Sequence, residues 1–109
     1  MALYGQVGAG KTHFVKGLAG GLGIAENSVS SPTFSIVNVY DNATSVFHFD
    51  LYRLKNVREL EEIGFEEYLS SSAISIIEWP EIGERFLPGE TIRISIDHVS
   101  ETKRRFERA

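Results

Sequence analysis

Residues 2–18, "ALYGQVGAGKTHFVKGL", decide how the rest of the chain is read. A short apolar run, Ala2 to Tyr4, has the character of a strand end. It gives way to Gly5-x-x-x-x-Gly10-Lys11-Thr12, the spacing of a phosphate-binding loop. Glycine has no Cβ, so the backbone can curl until successive N–H groups point inward and cradle phosphate oxygens. Lys11 supplies a point charge for β- and γ-phosphates, and the Thr12 hydroxyl stands where it can ligate Mg2+. Beyond the loop, Phe14, Val15, Leu18, Ala19 and Leu22 recur at helical spacing, and Gly20, Gly21 and Gly23 cluster where that helix should stop. The helix begins at the loop, so its N-terminal dipole faces the same anion. A glycine-rich surface turn is the plain alternative, but strand, loop and helix in this order favour a nucleotide-phosphate site.

Outward from this stretch, 109 residues predict a single domain, residues 1–109. With 42% hydrophobic and 24% charged residues, the composition is that of an ordinary globular protein. The sequence holds no cysteine, which excludes disulfides and fits a reducing cytoplasm. No run of apolar residues is long enough to span a membrane, and no leader-like segment opens the chain. A net charge of −4 argues against a free-standing nucleic-acid binder. The basic cluster "KRRFER", 103–108, reads either as a solvated terminus or as a contact with nucleotide, RNA or a partner.

After the first helix, "TFSIVNVY" and "SVFHFDLY" flank the turn signal "DNAT", so residues 33–52 read as a β-hairpin. "NVRELEEIGFEEYL" is helical in two pieces broken at Gly64, with Leu60, Ile63, Phe65, Tyr68 and Leu69 on its apolar side. "AISIIEW" is apolar in both phases, as an interior parallel strand should be, and Pro80 closes it. "EIGERF" suits a helical turn. "TIRISID" alternates strictly, which predicts a last strand in an edge or half-exposed position. The sum is an α/β fold with mixed strand directions, and ligands of such sheets collect beyond the carboxyl ends of the parallel strands.

Two carboxylates sit at such strand ends, Glu78 after "AISII" and Asp50 after "VFHF". Either can hold Mg2+ or its water shell opposite a phosphate loop. Asp50 can equally cap the turn into "LYRL", and Glu78 can be a strand-end acid with no ligand. Period-2 geometry places His48 on the face of Asp50, which favours a hydrogen-bonded structural pair over an independent metal site. Thr33, in the loop after the first helix, is placed to sense a γ-phosphate or simply to begin a strand. Trp79, the only tryptophan, reads as core, rim or stacking surface. His13 lies on the first helical turn, within approach of a phosphate or turned to solvent.

"GQVGAGKTHF", "GLGI", "VSSPTFSIVNVY", "FHFDLYRL", "ELEEIGFEEYL" and "IIEWPE", together and in order, resemble the TsaE family of tRNA threonylcarbamoyladenosine biosynthesis ATPases. The resemblance runs from about Leu3 to Pro88. It implies a P-loop NTPase-like domain, a mixed parallel/antiparallel sheet flanked by helices. It also implies slow ATP hydrolysis in the cytoplasm alongside TsaB- and TsaD-like proteins, with tRNA met indirectly through that assembly. By position, Gly8, Ala9, Gly10, Lys11 and Thr12 would hold the phosphates of ATP or ADP, with His13, Trp79 and Arg105 also at the nucleotide. Thr12 and Glu78 would hold Mg2+, and Lys11, Asp50 and Thr33 would serve hydrolysis. Gln6 stands where the family has aspartate, and His13 where it has a second threonine. The family also carries a further strand, a helix and most of another strand before the loop. On that comparison the N-terminal strands are truncated, which predicts an unpaired sheet edge and weaker nucleotide binding. A small P-loop kinase or a non-catalytic, nucleotide-responsive interaction subunit are the alternatives, although neither an acceptor pocket nor an arginine-bearing lid is evident.

Overall fold

β1 (Ala2–Tyr4), three residues long, occupies the middle of the sheet. The structure, a computed structural model of the chain, describes residues 1–6, 10–24, 36–40, 45–100 and 103–108. Among these, β1 is followed by α1 (Lys11–Gly21), β2 (Val37–Tyr40), β3 (Val46–Asp50), α2 (Val57–Glu62) and α3 (Phe65–Leu69). β4 (Ile74–Glu78), a 3-10 helix (Pro80–Phe86), β5 (Arg93–Ser100) and β6 (Lys103–Arg108) complete the order. The sheet runs β2-β3-β4-β1-β5-β6. Its four inner strands are mutually parallel, while β2 and β6 are antiparallel edges. β1 thus has a strand on each side, Ala2 lying opposite Ile77 of β4 and opposite Arg93 of β5.

Apolar residues in both phases of β4 are explained by helices on both faces. On one face, Val15 and Ala19 of α1 bury against Leu3, Val46 and Ile76. On the other, Ile77 joins Phe49, Leu51, Leu60 and Phe65. Phe49 there meets Phe65 and Tyr68 edge-on, with ring centroids 5.1 and 5.3 Å apart. Each such side chain, fully withdrawn from water, contributes about 1.5–3 kcal/mol before the entropy of ordering is subtracted.

The two-piece helix forms as expected. The Asn56 side chain accepts from the Glu59 N–H at 3.0 Å and caps α2. Gly64, at φ 76°, then breaks the helix by taking a left-handed conformation that costs glycine little. The hairpin holds across its described part, Val37 facing Phe49 and Tyr40 facing Val46. The 3-10 helix is tied to the sheet through Glu84. Its carboxylate accepts from the Tyr4 hydroxyl, and from Arg93 Nε at 2.8 Å.

The C-terminal region corrects the sequence reading. β5 is not the last strand: "KRRFER", solvent-exposed at all its positions except Arg104, forms the edge strand β6, with Ile96 opposite Phe106. Charged residues occupy all its positions except Phe106, so no apolar alternation betrayed it. An edge strand with one face on a helix tolerates that composition, and its charges discourage further pairing. Among the described residues no helix is long and apolar enough to cross a membrane.

Candidate functional site

β1 and β4 end side by side, and α1 starts just beyond them. Gly10 turns the chain into α1 at φ 101°, a conformation that would strain any side chain. Lys11 follows on the first helical turn and is only 5% exposed. Its Nζ donates to the carbonyl of Gly5 and, at 3.3 Å, to that of Gln6. The same ammonium lies 3.6 Å from the centroid of the Trp79 ring. Burial pushes its pKa below the usual lysine range, against the pull of Glu78, Glu81 and Asp50.

Thr12 faces the end of β4. Its Oγ1 lies 3.3 and 3.4 Å from the two carboxylate oxygens of Glu78. Glu78 is 3% exposed and is held from behind by His48 Nε2, 2.5 Å from Oε2. A hydroxyl and a carboxylate are the hard oxygen donors that suit Mg2+ rather than zinc or copper. Among the described residues no cluster of three metal-ligating side chains exists.

Asp50 is in register with Glu78 on the adjacent strand, so both candidate acids reach the same end of the sheet. Its Oδ1 accepts from the Tyr52 N–H at 3.0 Å, capping the turn after β3. His48 shares its face, but its ring nitrogens are engaged with Glu78 and Tyr40. Trp79 is not core. It is partly exposed, packs on Tyr52 at 4.8 Å between ring centroids, and has φ 55°. No other non-glycine among the described residues has positive φ, and such strain tends to be held at functional sites. The following Pro80 disfavours an ordinary helical conformation at Trp79.

The remaining expected residues divide. His13 is exposed on α1, and Gly8, Ala9 and Thr33 lie outside the described residues. Arg105 is on the outer face of β6, exposed, 3.8 Å from Glu107. Its neighbour Arg104 is the one near Gly10, with Nη1 donating to the carbonyls of Ser100 and Lys103. A Cβ built on Gly10 would stand 4.0 Å from Arg104 Nε, and Phe106, on the same face, packs on Phe14 of α1 at 5.7 Å. Strand β5 runs on past Ser95, the partner of Tyr4, so the β5–β6 ribbon extends beyond β1 on the loop side. Arg104 and Tyr52 were not singled out for the site from sequence, and His48 was paired there with Asp50 rather than with Glu78 and Tyr40. A basic cluster marked Arg104 only in general, and nothing in the order of residues marked the partners of His48.

The family model described as "Threonylcarbamoyl adenosine biosynthesis protein TsaE" matches residues 1–106. The chain is 39% identical over 102 residues to the tRNA threonylcarbamoyladenosine biosynthesis protein TsaE of Haemophilus influenzae, covering 93% of this chain and 64% of that protein. It is 39% identical over 105 residues to the protein of the same name from Bacillus subtilis, covering 95% and 65%. Among solved structures, the crystal structure of YdiB from Bacillus subtilis superposes with a TM-score of 0.73 at 31% identity, over 96% of this chain and 63% of that one. The chain therefore spans just under two thirds of the length of these relatives. A phosphate-loop sequence that opens a helix beside a central parallel strand, with this breadth of likeness, makes the chain a member of the TsaE family.

Proposed function

We propose that this chain binds ATP and ADP with Mg2+ and hydrolyses ATP slowly, as the nucleotide-dependent member of a tRNA N6-threonylcarbamoyladenosine assembly. Its partners would be TsaB- and TsaD-like proteins in the cytoplasm, with tRNA reached through them. The observation that carries the reading is the meeting of Lys11, Thr12 and Glu78 where β1 and β4 end.

In this scheme the amides of Gly8 to Thr12 and the N-terminus of α1 receive the β- and γ-phosphates. Lys11 exchanges its hold on the carbonyls of Gly5 and Gln6 for the phosphate oxygens, and Arg104 approaches from β6. Thr12 and Glu78 would hold Mg2+, which when bound would offset the negative charge of the phosphates. Asp50 orients a water for in-line attack on the γ-phosphorus. The bond to the bridging oxygen breaks, ADP carries away that electron pair, and inorganic phosphate forms. Thr33 reports the γ-phosphate to the loop around it.

The test is equilibrium binding of ADP and ATP, with and without Mg2+, to the wild type and to Lys11→Ala, followed by product analysis. Binding lost in the variant, with inorganic phosphate and no phosphorylated acceptor released by the wild type, is the expected result. Unchanged affinity in Lys11→Ala, or transfer to an acceptor, would overturn the reading. Reconstitution with the partner proteins and tRNA then asks whether modification requires this chain.

A further inference from the structure

His48 is fully buried in β3, on the face that carries Val46 and packs toward α1. An imidazole is a costly choice for such a place unless both ring nitrogens are satisfied. Both are. Nε2 lies 2.5 Å from Glu78 Oε2, and Nδ1 lies 3.0 Å from the Tyr40 hydroxyl. That hydroxyl is in turn 3.5 Å from Asn38 Nδ2. The polar row crosses β2, β3 and β4 on the α1 face and ends at Thr12, whose hydroxyl meets Glu78 at 3.3 Å.

Resting on the nucleotide reading above, we infer that His48 is a positioning residue that aims the Glu78 carboxylate at Thr12. A carboxylate on a flexible stem rotates about its terminal torsion, and that broad torsion has no strong preference of its own. The N–H at Nε2 donates to Oε2 and fixes the rotation, so that Oε1 is presented to the site. Because Nε2 carries the proton, Nδ1 is the acceptor and the Tyr40 hydroxyl donates to it, which locks the ring. Asn38 then supplies the donor that Tyr40 needs. Supporting partners of this kind are typically worth about 10- to 100-fold in metal affinity.

The experiment has two arms. Nitrogen-15 spectra of the imidazole rings in the nucleotide-free wild type are expected to show His48 as the Nε2–H tautomer. An Nδ1–H tautomer, or rapid exchange between the two, overturns the proposal whatever nucleotide does. In the second arm, ADP affinity is measured in EDTA and again in Mg2+ for the wild type, His48→Leu, His48→Gln and Tyr40→Phe. The expected pattern is unaltered affinity in EDTA and an Mg2+-dependent tightening reduced about tenfold or more in His48→Leu. His48→Gln, whose amide can still donate to Glu78, should recover part of it. Tyr40→Phe, a near-isosteric change that keeps the fold if His48→Leu does not, should fall between. Equal Mg2+-dependent tightening in all folded variants refutes the inference. Failure of the wild type to bind ADP even in EDTA would refute the nucleotide reading instead, and the spectra still decide the placement of His48.

Discussion

Lys11 lies over the ring face of Trp79, its ammonium 3.6 Å from the ring centroid, while its protons are held by the carbonyls of Gly5 and Gln6. A lysine so engaged must give up three contacts to reach a phosphate, and the indole is the one that can be watched. Trp79 is the only tryptophan, so its emission reports this exchange without interference. ADP should shift or change the intensity of that emission in the wild type. Lys11→Met should alter the starting emission and remove at least about tenfold of the affinity. An emission indifferent to ADP under conditions where calorimetry detects binding would count against the exchange.

Asp50→Ala should reduce ATP turnover by about 100-fold while changing ATP affinity by less than about threefold. The same substitution removes the acceptor of the Tyr52 N–H, so a loss of about 0.5–1.5 kcal/mol in stability should accompany it. Single-turnover rates beside equilibrium binding separate the two effects. An equal loss in both would assign Asp50 to binding.

The two neighbouring arginines of β6 should behave differently. Arg104 has its Nε near Gly10 while its Nη1 donates to the carbonyls of Ser100 and Lys103, whereas Arg105 lies on the other face beside Glu107. Arg104→Ala should weaken ADP by about tenfold, the scale of one charge-assisted hydrogen bond. Arg105→Ala should stay within about twofold. The reverse order, measured by the same titration, would place the functional guanidinium on the other face of the ribbon.

Glu84 should make stability sensitive to acid. The Tyr4 hydrogen bond, helped by Arg93, holds its pKa below the ordinary 4.5. The folded state therefore prefers the carboxylate. Its contribution is complete above the unfolded value and is lost as pH falls through the lowered folded value. With a side chain 43% exposed, the contribution is no more than about 1 kcal/mol. Thermal melts of Glu84→Gln should lie below wild type at pH 7 and converge with it as pH falls below 4.5. Parallel curves would show that the shift is not coupled to folding.

Two glycines offer a matched pair. A Cβ at Gly83 would stand 3.0 Å from the Phe65 ring and 3.1 Å from Leu60, both fixed in the core, so Gly83→Ala should cost about 1–3 kcal/mol. Gly17, exposed in α1, has nothing within 4 Å, and Gly17→Ala should stabilise by about 0.5–1 kcal/mol. Denaturant titration measures both.

Those parts of the fold whose cause is local were readable from residue order. Gly64 broke the helix because a positive φ is needed there, and β4 announced its interior position by being apolar in both phases. Lys11 and Thr12 were placed by spacing alone. What escaped depends on which strand lies beside which. Period-2 logic set His48 beside Asp50 on one strand, yet its partners Tyr40 and Glu78 come from the two adjacent strands. The choice between Arg104 and Arg105 turns on one residue of register in β6, a strand whose composition carries no pattern. The left-handed Trp79 is likewise a product of the turn from β4 into Pro80.

The central position of β1 has a consequence for how the molecule is made. Residue 2 lies beside residues 77 and 93, so the platform under the glycine loop closes only after residues through 93 have been made. Such distant pairing delays folding through the entropy of closing a long loop. Until then the apolar flanks of β4 stand uncovered, and the nascent chain is most vulnerable to misassociation. A chain halted before residue 74 therefore carries the complete phosphate-loop sequence but neither of the strands that flank β1.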